Sequence, residues 1–215
     1  MGLLTLDNFR EEVKLNFADR SSFTNTRVDR WLNQAQRRIG AQAAWEELEA
    51  TSTFSLASPN NSATFAVVDS AAAVGKILLL RIDQDGDEDG LDFLPMREFY
   101  EEFPRPASET ADAPEIYTVW GETVYLSRPV DKTYQLASLH TKKPTTLTTG
   151  GQTSDLNDKD DMIIALTTSM LFSSLGNLEG QQVWRKMYEE LLQVAVPEDR
   201  ARLDLDRTAQ TQRRS

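Results

Sequence analysis

Phe9, Val13 and Phe17 recur every four positions, with Glu11 and Glu12 ahead of Lys14, so residues 7–17 read as a short amphipathic helix. The polar run Ser21-Ser22-Phe23-Thr24-Asn25 breaks it. Thr26, with Asp29 three positions on, resembles a capping pair for a second helix carrying Val28, Trp31, Leu32, Ala35 and Ile39. That helix is expected to reach Ala44 or Trp45.

From Thr51 the period changes. Residues 51–56, 63–68, 76–82, 115–120, 123–127 and 133–141 are β-branched or aromatic runs between turn residues, which predicts an antiparallel β region. Its clearest hairpin is Tyr117-Thr118-Val119-Trp120, Gly121-Glu122, Thr123-Val124-Tyr125-Leu126, where a glycine first in a two-residue turn suits type II′ geometry. Met96, Phe99, Tyr100 and Phe103 have helical spacing, and Pro104 and Pro106 end that short helix.

Residues 143–159 carry Pro144, five Thr and Gly150-Gly151 with little apolar content, and read as a long connection, mobile unless covered. Beyond it, Ile163, Ile164, Met170, Leu171, Leu175 and Leu178 form one broad apolar face, and Val183, Trp184, Met187, Tyr188 and Leu191 line another. Gly176 and Gly180 bracket the turn between these two helices, and Thr167, Thr168, Ser169, Ser173 and Ser174 are small enough for close helix approach. Pro197 is expected to stop the helical pattern, since residues 197–215 hold only Leu203 and Leu205 as large apolar residues among five Arg and four acidic residues.

The fold class this implies is α+β. Helix pairs at 1–50 and 158–196 form one four-helix bundle, with an inserted antiparallel β lobe at 51–142, a connection at 143–157 and an extended C-terminal arm at 197–215. No fixed-period repeat supports a solenoid.

Composition narrows the chemistry. The 215 residues are 40% apolar and 27% charged, enough to bury a core, and 34 acidic against 23 basic residues give a net charge of -11, the wrong sign for a dedicated nucleic-acid binder. With no Cys, disulfides, thiolate metal sites and cysteine nucleophiles are excluded, and a single His140 excludes multi-histidine metal centres. The start lacks a cationic export signal, Leu6 breaks a myristoylation pattern, and the apolar stretches at 71–80 and 162–172 are too short to cross a bilayer, so a soluble chain is expected.

Asp85-Gly86-Asp87-Glu88-Asp89-Gly90 opens like a calcium loop, but Met96 stands where a bidentate Glu belongs and a strand precedes it, so a solvated hairpin tip is the preferred reading. Residues 83–115 hold twelve acidic residues and two Arg, -10 of the chain's -11, a field that repels phosphate, attracts basic partners and suits a surface DNA passes without sticking. No nucleophile lies beside a base. His140 sits in a predicted strand in a packing or surface role, Gly150-Gly151 lacks the Gly-Lys-Ser/Thr of a phosphate loop, and Trp31, Trp45, Trp120 and Trp184 read as core or subunit contacts. Neither a cofactor nor a metal site is expected. The alternatives are a calcium-stabilised binding or adhesion module and a small hydrolase using paired carboxylates.

Several stretches together resemble the head-to-tail adaptor, or connector, proteins of tailed bacteriophages. They are Trp31-Leu32-Asn33-Gln34-Ala35-Gln36-Arg37-Arg38-Ile39 with Trp45 and Thr53-Phe54, then Arg97-Glu98-Phe99-Tyr100-Glu101-Glu102-Phe103-Pro104. Pro114-Glu115-Ile116-Tyr117-Thr118-Val119-Trp120-Gly121, Tyr125-Leu126, Pro129, Lys142-Lys143-Pro144-Thr145, Trp184 and Tyr188 continue the order over most of the chain. The resemblance implies a non-enzymatic homo-oligomeric ring, a dodecamer matching the portal, placed beneath the portal protein in the virion neck after assembly in the host cytoplasm. The ring offers a docking surface to a nozzle or tail-tube protein, while DNA passes without specific binding and no membrane is involved. A C-terminal arm onto the portal is a family habit; here Arg200, Arg202 and Arg207 would pair with carboxylates, and Leu203 and Leu205 would fill apolar grooves. The acidic loop, Asp83, Asp85, Asp87, Glu88 and Asp89, departs from the family pattern and would face the channel or the tail.

Overall fold

The structure, a computed structural model, describes residues 4–17, 23–70, 73–83 and 90–213, with side chains through Val196. It is an α+β protein of several helices and two sheets, and its contacts divide it into two compact units, Met1–Leu48 with Pro144–Ser215, and Glu49–Lys143.

In the first unit, α1 (Leu6–Leu15) buries Leu6, Phe9 and Val13, and the Thr5 hydroxyl accepts from the Asn8 N–H. Helix α2 (Asn25–Gly40) begins two residues earlier than the Thr26-Asp29 reading, because Thr24 is the cap, its hydroxyl accepting from Arg27 N. Phe23, just before that cap, and Val28, at the fourth helical position, are both buried, an apolar pair that sets where the chain turns into the helix. At its far end α2 stops at Gly40 rather than Ala44 or Trp45: Trp45 folds back and its indole N–H donates to Ile39 O at 2.7 Å, satisfying a terminal carbonyl. A Cβ on Gly40 would stand 2.8 Å from the Pro144 ring, so the chain passes closely there. A 3-10 turn, Glu46–Leu48, closes the segment.

Helix α5 (Asp160–Ser174) touches α1, α2 and the following helix, and nearly every residue from Met162 to Leu171 is buried, so it has no solvent face over that stretch. Thr167, Thr168 and Ser169 are buried as small contact residues, and Ser169 Oγ donates to Gln181 O across the helix pair. Ser173 and Ser174 are instead exposed, as are Leu175 and Leu178 at the turn. Gly176 makes that turn at φ +73°, whereas Gly180 lies inside the next helix, where a Cβ would sit 2.7 Å from the Phe172 ring. Helix α6 (Leu178–Arg213) runs through Pro197 and corrects the expected stop and the extended arm. Pro-Glu-Asp at 197–199 is itself a favourable first turn, and the Arg, Ala, Leu and Gln that follow favour helix, which offsets the hydrogen bond that proline removes.

The connection is tied down rather than loose. Leu147 and Leu156 are buried, and the Asn33 side chain pairs with one peptide of the connection at both of its polar groups: Nδ2 donates to Leu147 O at 2.9 Å, and Leu147 N donates to Oδ1 at 2.7 Å. Gln36 Nε2 donates to the same Oδ1, Ser154 Oγ donates to Gln36 Oε1, and Leu156 N donates to Ser154 Oγ. Arg10 binds both carboxylate oxygens of Asp29 at 2.7 Å, joining α1 to α2, and these bonds hold its guanidinium charged.

In the second unit one sheet has the order β1 (Glu49–Leu56), β7 (Tyr134–Lys142), β3 (Val74–Ile82), all antiparallel. The other has the order β2 (Ser62–Thr64), β6 (Thr123–Leu126), β5 (Ile116–Trp120), β4 (Asp92–Phe93), and β4 pairs parallel with β5, so the β region is not purely antiparallel. The expected strand at 63–68 ends at Thr64 and becomes a one-turn helix, α3 (Phe65–Val68), because Phe65 and Val68 three apart both reach the core. At the β5–β6 hairpin Gly121 has φ +59° and Glu122 does not share a positive φ, as a type II′ turn requires. Helix α4 (Met96–Glu102) buries Phe99.

Asn33→Ala should lower the unfolding free energy by about 2–4 kcal/mol, since a buried N–H and C=O of Leu147 lose their partners together. Urea unfolding followed by tryptophan fluorescence measures this; an unchanged midpoint contradicts the clamp.

Candidate interaction surface

The apolar face of α6 is wider than its own fold covers. Tyr188 is buried, and Trp184, Leu191, Leu192 and Ala195 pack half-buried against the helical core, while Val183, Met187 and Val194, along one edge of that face, are 63%, 42% and 64% exposed. Positions 183, 187 and 194 fall in one row of an α-helix, with Glu190 in that row between Met187 and Val194. Tyr188 keeps a buried hydroxyl with no partner among the described residues, and burial raises its phenol above the ordinary range.

Alongside this strip runs a groove of about 920 Å³ whose floor includes Met162, Met187, Leu191 and Val194. Glu46, Glu47, Asp158, Asp161 and Glu190 also line it, with Lys159 the cation among the described lining residues. Lys159 is already engaged, its Nζ 3.3 Å from Glu47 and 5.1 Å over the Trp45 ring. The sequence pattern missed this surface because 183, 187 and 191 read as one core-facing set, while only packing decides which of them α5 covers.

Asp160, beside the groove at the start of α5, accepts from Leu4 N, and its Oδ1 is buried without a partner. Burial, then the neighbouring charges of Asp161 and Asp158, raise its carboxyl above the usual carboxylate range, against the opposing effect of the Leu4 bond.

The other sequence-predicted residues are dispersed. Asp83 is exposed after β3, its N–H donating to Gln135 O; Asp85, Asp87, Glu88 and Asp89 lie outside the described residues. Arg200, Arg202, Leu203, Leu205 and Arg207 have helical backbone in α6, and their side chains lie outside the described set. His140 is fully buried in β7: Ser138 Oγ lies 3.1 Å from Nδ1 and Asp69 Oδ2 lies 3.2 Å from Nε2, while Ser52 bridges Ser138 to Val68 O. With Ser138 itself only 2% exposed, this Ser-His-Asp chain offers no open hydroxyl to a substrate and acts as packing. Trp45 is core, Trp120 is exposed at the hairpin, and Trp31 and Trp184 are half-buried. Among the described residues no cluster of three His, Cys, Asp or Glu could hold a metal ion, and no helix is long and apolar enough to cross a membrane.

A family model described as SU10 adaptor protein matches residues 4–214, and no curated protein matches the chain.

Asp160→Asn should raise the melting temperature at pH 7. A carboxyl whose folded pKa lies above its unfolded value loses stability as pH rises through that window, so the gain should fade as pH falls below the ordinary Asp range. Calorimetry from pH 3 to 7 checks this, and a gain that is equal at both ends contradicts it.

Proposed function

The chain belongs to the SU10 adaptor protein family and is a structural head-to-tail adaptor of phage virions; from that premise we propose that it works as a ring beneath the portal, twelvefold to match it, at the virion neck. The observation that carries this reading is a family match over nearly the whole chain, including the stretches whose order gave the first resemblance. The role is non-enzymatic, its partners being the portal, a nozzle or tail-tube protein, and other copies of itself. The organisation we propose for the ring is a four-helix bundle from residues 1–50 and 158–196, a β lobe at 51–142 joined through 143–157, and a portal-binding segment at 197–215.

The form of that segment differs from the extended arm. α6 has 36 residues, a length of about 54 Å, against about 22 Å for the 15-residue α5 it packs on. A rigid helix therefore continues past its packing partner and would dock as a helix. On that backbone positions 200, 203 and 207 fall in one row, and 202 and 205 in another, so Arg200, Leu203 and Arg207 would act together and Arg202 with Leu205. The acidic residues Asp83, Asp85, Asp87, Glu88 and Asp89 would line the passage or face the tail, where their charge keeps DNA from adhering.

Light scattering on a sizing column, with the chain alone and mixed with the portal ring of the same genome, should give a multi-copy complex; separate elution would remove the ring reading. Deleting residues 197–215 should weaken that complex by at least about tenfold. Helical docking further predicts that the triple variant Arg200→Ala, Leu203→Ala, Arg207→Ala and the double variant Arg202→Ala, Leu205→Ala differ clearly in their effect, and equal losses would favour an extended arm.

A further inference from the structure

We propose that the groove beside α6 receives the arginine-bearing face of α2 from a second copy, so that copies join head to tail; this rests on the adaptor reading above and names the contact that would build its ring. The first observation is the apolar strip Val183, Met187 and Val194, of which Met187 and Val194 line the groove, and which extends the apolar face of α6 beyond what its own fold covers. A helix apolar on a face that its own fold leaves open gains by burying that face against another surface.

Charge identifies the occupant. Five carboxylates line the groove; Glu47 is held by Lys159, which also lies over Trp45, and Glu190 meets Lys186 one turn back on α6 at 3.7 Å, two lysines among the described residues against five acids. Two such grooves facing each other across a twofold axis would bring like charges together at close range, which costs binding free energy. The same helical unit offers the opposite sign on α2: Arg30 and Arg37 fall in one row of the helix, are exposed, line no part of the groove and form no ion pair among the described residues, while Arg38 stands to one side, its charge acting on Tyr188 of the same chain. An arginine also suits an apolar floor with a carboxylate rim, because its methylenes cover Met and Val while its guanidinium reaches the acids.

Two unlike patches on one chain make a heterologous contact, and a heterologous contact that closes on itself makes a ring rather than a twofold dimer. The charge pattern thus supplies a reason for cyclic growth. It also separates the lateral contact, in the compact helical unit, from the part of α6 assigned above to the portal.

The chain has no cysteine, so introduced thiols report contacts without background. Val194→Cys, Arg37→Cys and the double variant would be oxidised as full-length protein, free at high concentration and bound to the portal ring. The double variant should give a ladder of oligomers, and each single variant almost none. Disulfide dimers of Val194→Cys alone would mean groove against groove and overturn the proposal.

Charge reversal provides an independent readout. Glu190→Lys and Arg37→Glu should each lower the number of copies loaded on the portal about tenfold, and combining them in one chain should restore loading to within about twofold. If wild type loads in many copies but the double reversal stays as weak as the singles, with no ladder, the proposal fails while the adaptor reading stands. That pattern would assign the groove to the portal instead. If wild type does not associate with the portal at all, the adaptor reading fails, and the free-chain ladder still decides whether the contact exists.

Discussion

The middle of helix α5, Met162 to Leu171, is covered on every side, and the rest of the helical unit follows from the need to cover it. A ten-residue stretch without a solvent face requires neighbours all around, and α1, α2, α6 and the connection supply them. Thr167, Thr168 and Ser169 keep some of those neighbours close, and the missing side chain at Gly180 leaves room for the Phe172 ring. The connection pays for its place beside the core through polar satisfaction: a buried peptide at Leu147 is tolerable only because Asn33 supplies both the donor and the acceptor it lacks.

The same packing accounts for the pattern of Trp31-Leu32-Asn33-Gln34-Ala35-Gln36-Arg37-Arg38-Ile39. Leu32, Ala35 and Ile39 are core, Asn33 and Gln36 face inward with them to hold the connection, and Arg37 and Arg38 point outward. Most of the nonamer is therefore a folding device. The core leaves other surfaces unconstrained, the outer strip of α6 and its acidic groove among them.

An adaptor gains from such a division. Under the proposed head-to-tail contact the apolar strip would be covered on assembly, and a partner that binds only the folded chain stabilises it by mass action. The acidic surplus would act in the other direction, opposing association except where opposite charges meet.

Hydropathy period by itself determined where α1, the β1, β3 and β7 strands, α4 and α5 lie, and the glycine-first turn determined the β5–β6 hairpin, because these depend on neighbours within a few residues. The same period could not tell that Asn33 and Gln36 sit inside, that residues 143–157 are anchored, or that Val183 and Met187 face outward while Tyr188 faces in. Those outcomes depend on partners more than a hundred residues away for Asn33, or on which side of α6 lies against α5. The helix ends show the same limit: the local pattern put the cap at Thr26, two residues late, and only Trp45 returning to Ile39 decided that α2 stops at Gly40. The family, carried by the order of many weak local patterns, was legible in the sequence, whereas the candidate groove was not, since a groove is a relation between α6, the turn at Glu46–Leu48 and the start of α5 that exists only once they pack.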